Sequence, residues 1–420
     1  MNEVKSLLAI GKRMKKEQLT KNQLLLTDLK VKVEDSEVES LPRLIYNHAL
    51  TKSNLIKESP HGASVFAQRL EQAINDGVIT EPVYHYNRHL FTRHDIWALW
   101  DHWGIEKYRD NYNPIAIAIE NQKGGTGKST TTSTLGTGIA LDIQLNARVL
   151  IIELDPQGTN CQGMINSAAV NKDTVYITPV DLILGEYEED GDYQNLRNQG
   201  YTREEIIANA PFNTHLPNLD VMPAFGTDER FLHTFWQADE DMKVQLISEL
   251  RDNIMPVLKE KYDFILIDTP PQESPLVWVM NEALDALLIP ITPKEYDYAS
   301  TVNYSITTGE RFADLPSKGK NLKWVRYLVV NHDEKSNAEL KTINKLARTV
   351  QDRLLSTQIP HSELITYASS INRTALDVSK VEVKEHKICS AKRYDEALLN
   401  INQVVKQVVR EIKNISHKAV

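Results

Sequence analysis

The 420-residue sequence predicts an α/β architecture. It reads as a mostly parallel sheet of the P-loop NTPase type, covered by helices on both faces and preceded by a mainly helical, winged helix-turn-helix module. Three observations carry this. Short continuous apolar runs (IAIAIE at 115–120, VLIIELD at 149–155, FILID at 264–268, ALLIPI at 286–291 and YLVVN at 327–331) alternate with helical stretches, as strands buried on both faces do. A glycine-rich loop joins the first run to a helix. Before residue 111 the grammar is instead helix, tight glycine-containing turn, helix.

In chain order, residues 1–40 read as a charged helix over 2–28 with a possible dimerisation role, broken by the acidic stretch 31–40. Residues 41–110 form the helix-turn-helix unit. Pro42 opens a short apolar segment, Thr51 caps the helix TKSNLIKE, and Pro60-His61-Gly62 turns the chain. The next helix, ASVFAQRLEQAIND, is closed by Gly77. Val78–Phe91 carries strand formers around Pro82 and suits a wing, and Thr92 caps a further helix. In the helix from about Ala63 to Asn75, Ser64, Gln68 and Arg69 are candidates to face a major groove of DNA. The other reading is a small helical domain used only for dimerisation. Residues 111–116 mark a boundary, and 111–420 form the sheet domain, with a polar, acidic surface insertion at about 186–203.

Composition narrows the classes. No run of about 18 apolar residues predicts a membrane-spanning helix. Only Cys161 and Cys389 occur, which excludes a disulfide scaffold, a four-cysteine zinc site and an iron–sulfur cluster held by one chain. With no secretory leader pattern, a reduced, cytoplasmic setting is expected. Net charge is −9, yet residues 1–30 hold seven Lys/Arg against three acids, and 371–420 hold ten against six. Local basic faces of this kind can hold DNA on an acidic protein.

The loop Lys123-Gly124-Gly125-Thr126-Gly127-Lys128-Ser129-Thr130 follows a strand and opens a helix. Glycines let backbone N–H groups turn inward around phosphate oxygens, and the helix N-terminus adds its positive end. Lys128 would reach the β- and γ-phosphates and Ser129 would bind Mg²⁺. The strict motif fails by one position, because Gln122 stands where its first glycine would fall, and Lys123 precedes the glycine pair instead. Asp155 and Asp268 lie at carboxyl ends of two strands, where ligands of open α/β sheets sit; each could hold Mg²⁺ through water or orient an attacking water.

On these residues, NQKGGTGKSTTTSTLG, IIELDPQGTN and YDFILIDTPP, the chain resembles the deviant-Walker ParA/MinD ATPase superfamily. The helical half, ending in GIEKYRD at 104–110, resembles the N-terminal region of larger plasmid-type ParA proteins. The resemblance implies that Lys123 is the signature lysine, crossing a dimer interface to the partner's ATP. Lys128, Ser129 and Thr130 would cradle phosphates and Mg²⁺, Asp155 would position water and Asp268 would be the Walker B acid. Asn331 and Pro360 would lie by adenine. Glu153, where relatives carry another Asp, receives no role. The resemblance further implies a slow ATPase that partitions plasmid or chromosomal DNA, dimerises on ATP with higher-order assembly possible, and binds DNA without strong sequence preference at the nucleoid. A ParB-type centromere-binding protein would stimulate hydrolysis, and the N-terminal domain would repress its own operon. A basic residue, here Arg373, would help bind DNA, with Lys380, Lys384, Lys392 and Arg393 extending the patch.

Two competing functions remain: a nucleotide-responsive repressor without partition, and a MinD-like positioning ATPase on a membrane surface. The second would use the apolar stripe Leu398, Ile401, Val405, Val408, Ile412 and Ile415 of the last helix, which otherwise packs on the sheet domain. Six histidines precede residue 111, and no tight pair among them suggests a metal.

Overall fold

The computed structural model describes residues 9–14, 16, 43–85, 87–156, 160–165 and 174–418. Residues 9–14 are helical, and the rest of the helix expected over 2–28 falls almost wholly outside the described residues.

The apolar runs become strands. An eight-stranded sheet is built from β4 (Ile115–Ile119), β5 (Val149–Glu153), β6 (Phe212–Asn213), β7 (Leu219–Met222), β8 (Phe264–Asp268), β9 (Ala286–Ile291), β10 (Trp324–His332) and β11 (Ile359–Pro360). The order is β11-β10-β9-β4-β8-β5-β7-β6, parallel throughout except for β6 against β7. Strand alternation sorts the core into two layers. Ile115, Ile117, Ile119, Ile151 and Leu266 face one, with the helices Lys128–Leu141 and Ala391–Ser416. Ala116, Ala118, Ile152, Ile265 and Ile267 face the other, with Pro275–Ala283 and the 240–261 helical segment. Continuous apolar runs without alternation are what two covered faces require.

Helix Lys128–Leu141 lies in a narrow slot. A Cβ at Gly136 would stand 2.6 Å from Ile151 Cδ1, and one at Gly138 2.6 Å from Val405 Cγ2. These glycines cost helix propensity but bring the helix close to the sheet on one side and to the last helix on the other. Ile401, Val405, Val408 and Ile412 of that last helix are buried in the core. The stripe therefore packs inward and leaves no apolar face for a membrane surface. No helix among the described residues is long and apolar enough to cross a membrane.

Before the sheet domain, helix Lys52–Glu58 is capped by Thr51, whose Oγ1 accepts from Asn54 N at 3.3 Å. Helix Ala63–Asn75 ends at Gly77, φ +72°, and the hairpin of β2 (Val83–His85) and β3 (Arg88–Phe91) follows. Thr92 and Asp95 form a reciprocal capping box on helix Arg93–His102. A strand the sequence did not announce, β1 (Leu50–Thr51), pairs with β3, so β1, β3 and β2 form a small three-stranded sheet. Phe66, Leu70, Phe91, Ile96 and Leu99 form a separate small core. The module docks on the sheet domain through Trp100 Nε1 to Ile143 O (2.9 Å) and Arg93 Nη1 to Leu141 O (3.0 Å).

Candidate functional site

The glycine loop leaves β4 and enters helix Lys128–Leu141 with Gly125 and Gly127 at φ +78° and +75°. A side chain in that region is strained, so the loop's tight inward turn depends on glycine. The loop folds onto its own backbone: Lys128 Nζ donates to Lys123 O at 3.1 Å and Thr126 Oγ1 to the same oxygen at 3.2 Å. Burial pushes the Lys128 ammonium below its ordinary pKa, opposed by Asp268, Asp155 and Glu120. Lys123 Nζ forms an ion pair with buried Asp297, whose other oxygen accepts from the Thr292 hydroxyl.

Parallel register brings the acids to the same edge. Ile119 and Glu153 both align with Asp268 across β4-β8 and β8-β5. Asp268 is fully buried, and the hydroxyls of Ser129 and Thr132 donate to it. Desolvation raises its pKa to about 6 against those donors and Lys128. Its Oδ2 is buried with no protein hydrogen-bond partner. Asp155, two residues past β5 and half-buried, is near enough for its charge to act on both Lys128 and Asp268. Glu153 is buried, and its Oε2 accepts from Cys161 N at 3.1 Å.

Next to the loop opens a cavity of about 280 Å³, lined by Gly125, Gly127, Thr130, Asn331 and Pro360 among others. The β10-β11 register shifts between Val330 and His332, and Asn331 adopts φ +50° there. Such a bulge re-aims the residue out of the ladder, and Asn331 Oδ1 lies 2.9 Å from His361 Nδ1. The two residues expected beside a base thus line the same cavity as the phosphate loop.

One supporting network escaped the sequence. Buried Arg311 donates to Glu120 Oε1 (2.6 Å) and Asn281 Oδ1 (2.9 Å) and pairs with Glu273, which also accepts from Gln122 Nε2. It ties the residues flanking the loop to the segment after β8. Its members lie up to 191 residues apart, and only a motif spacing between Glu120 and Arg311 could have signalled it; there is none.

The candidate DNA contacts divide. Ser64 and Gln68 are exposed. Arg69 turns toward the module, with Nη1 at 3.0 Å from His61 Nε2 and 3.5 Å from Trp103 O. Arg373 requires a correction: its side chain is 9% exposed and pairs with Glu382 at 3.1 Å, so it is an interior ion pair rather than a surface cation. Lys380, Lys392 and Arg393 are exposed but face Asp395, Glu396 and Glu363.

Comparison with known proteins agrees with this geometry. The AAA domain family matches residues 115–308. Plasmid partition protein A of Escherichia coli is 26% identical over 259 residues, covering 60% of this chain and 61% of that protein. The chain thus spans about three fifths of that relative's length. The sporulation initiation inhibitor protein Soj of Bacillus subtilis is 28% identical over 261 residues, covering 60% of this chain and 87% of Soj. A solved structure described as a partition protein superposes with a TM-score of 0.62 at 19% identity, covering 89% of this chain and 94% of that one; it supports the fold. With a deviant phosphate loop and two strand-end acids, the chain is similar to these partition proteins over the sheet domain.

Proposed function

We propose that the chain is an ATP-dependent DNA partition ATPase that dimerises around nucleotide. The observation carrying this is the convergence of Lys123, Lys128 and Ser129 with Asp155 and Asp268 at one sheet edge, beside a cavity of base-and-sugar size.

Loop N–H groups and Lys128 would take the β- and γ-phosphates in place of the Lys123 carbonyl that Lys128 now holds. Asn331 and Pro360 would border the adenine. Ser129 and Asp268, the latter through water, fit Mg²⁺, since the buried Asp268 oxygen lacks a protein partner; the ion supplies neutralisation of triphosphate charge. Asp155 would orient the attacking water. No strong general base stands in this set, so intrinsic turnover would be slow. A partner that improves positioning can add on the order of 10³–10⁵ in nucleotide switches.

Lys123 would leave Asp297 and contact phosphate across a two-fold interface, so that the dimer is favoured only while the γ-phosphate is present. The dimer would bind DNA non-specifically, a ParB-type protein on cargo DNA would stimulate hydrolysis, and the 41–110 module would bind operator DNA to repress the chain's own operon. The test is ATP turnover with and without DNA and the product of the neighbouring reading frame, alongside sedimentation of wild type and Lys123→Ala. We expect partner-stimulated turnover and ATP-dependent dimers, both lost in the variant. Retention of both in Lys123→Ala would overturn the sandwich mechanism.

A further inference from the structure

Three chain segments bring together side chains that the proposed function does not use. His48 lies in the N-terminal module, His215 between β6 and β7, and Asp377 in the turn before the last two helices. His48 Nε2 stands 2.8 Å and His215 Nε2 3.0 Å from the same oxygen, Asp377 Oδ1. The three ligand atoms lie within 4.8 Å of one another. The two imidazoles stack with centroids 5.4 Å apart at 22°. His48 and Asp377 are buried, and the His215 side chain is 13% exposed, leaving an approach from solvent.

We propose that His48, His215 and Asp377 form a zinc-binding site that staples the N-terminal module to the sheet domain. Two imidazole nitrogens and one carboxylate oxygen make a three-ligand set suited to tetrahedral Zn²⁺ with water in the fourth position. Zinc–ligand bonds of about 2.0–2.2 Å in tetrahedral array place ligand atoms roughly 3.3 Å apart. The 2.8 and 3.0 Å separations would open by a few tenths of an ångström, and the two ring nitrogens, no more than 4.8 Å apart, would come to the same spacing.

The carboxylate's outer support is already in place. Asp377 Oδ2 accepts from Thr374 N (2.9 Å) and Thr374 Oγ1 (2.6 Å), which fixes the carboxylate and aims Oδ1 at the two rings. Asn47 Nδ2 donates to Asp377 O (2.9 Å), and Arg93 Nε holds His48 O (2.9 Å). Outer-shell bonds of this kind orient ligands and raise affinity. Both Nε2 atoms face Asp377 Oδ1 within hydrogen-bond distance. To ligate a metal, each Nε2 would present its lone pair, with the ring's N–H on Nδ1.

The site should reveal itself in the full chain stripped with chelator and titrated with Zn²⁺, read by calorimetry and by thermal unfolding. We expect one high-affinity ion per chain and a rise in Tm, because a ligand of the folded state stabilises it. His215→Gln keeps a donor for Asp377 but removes a zinc ligand, so it should fold, lose the high-affinity ion and lose the Tm rise. Asp377→Asn should do the same. No saturable binding, or one-to-one binding that survives in His215→Gln, would overturn the proposal. Neither readout depends on nucleotide turnover, so the outcome is separate from that of the partition reading.

Discussion

The two sets of cations in this chain behave differently. At the phosphate loop, Lys128 rests on a backbone carbonyl, an acceptor that a phosphate can replace. In the C-terminal region, Arg373, Lys380, Lys392 and Arg393 each face a carboxylate. Lys128 is poised for an anionic ligand, whereas Lys123 beside it is paired with Asp297 and the C-terminal cations already have their anions. A local motif sets the first, because eight consecutive residues build the loop. The second depends on which acid each cation meets after folding, and cation counts along the sequence say nothing of that.

The largest effect should come from Lys128→Ala. Its ammonium is the buried cation closest to where phosphate charge would lie, and removing a preorganised donor of this kind costs about 10²–10³ in rate, or ~3–4 kcal/mol. Nucleotide binding by fluorescence titration and turnover by phosphate release should both fall, while Tm without nucleotide stays within a few degrees. Unchanged turnover would remove the contrast between the two sets.

Next is Arg373→Ala, which strips the guanidinium from buried Glu382. Breaking a buried pair from one side costs about 3–5 kcal/mol, so urea unfolding should shift strongly to lower denaturant. Replacing both partners, Arg373→Met with Glu382→Leu, should recover most of the loss, since apolar pairs of similar volume tolerate such sites. A stable Arg373→Ala protein with weakened DNA binding would instead return Arg373 to the surface role expected from the family resemblance.

Legibility followed the range of the interactions. The strands β4, β5, β8 and β9, the caps at Thr51 and Thr92, and the loop itself rest on neighbours within a few residues, and the sequence named them. The short strands β6, β7 and β11 were missed. Two to four residues give no periodicity, and β6 and β11 exist by pairing onto the sheet's edges. The Arg311 network, the inward turn of Arg69 and the meeting of His48 with His215 and Asp377 join segments that only tertiary packing brings together. Asn331 and Pro360 came from resemblance rather than pattern, and a bulge and an edge strand put them beside the loop.

A smaller, graded effect separates the edges by pH. Burial raises Asp268 from 3.8 to about 6. Between those values the folded chain holds a proton that the unfolded chain has released, so this group's contribution to stability falls as pH rises from about 4 to 6. Cation binding requires the ionised form, so Mg²⁺-dependent nucleotide affinity should weaken about tenfold per pH unit below about 6. Asp268→Asn should flatten the stability profile and abolish the Mg²⁺ requirement together with tight binding. Titrations from pH 5 to 8 with and without Mg²⁺ check both. A profile unchanged by the substitution would place the controlling group elsewhere.

The smallest effects belong to the exposed pairs. Lys380 and Arg393 sit more than half exposed opposite Asp395 and Glu363. If DNA crossed this face, each lysine or arginine lost would lower the slope of log affinity against log salt by about 0.9 per phosphate contact. Because each cation already faces an acid, releasing it to a phosphate leaves that acid behind as a repulsive neighbour. The net gain is smaller than for an unpaired cation. We therefore expect Lys380→Ala and Arg393→Ala to change the slope by well under one unit each, whereas removing the acids, Asp395→Asn with Glu363→Gln, should strengthen binding and steepen it. A full-unit loss from either single substitution would mean that the pairs open on DNA, and the difference between the two cation sets would then be one of state rather than of structure.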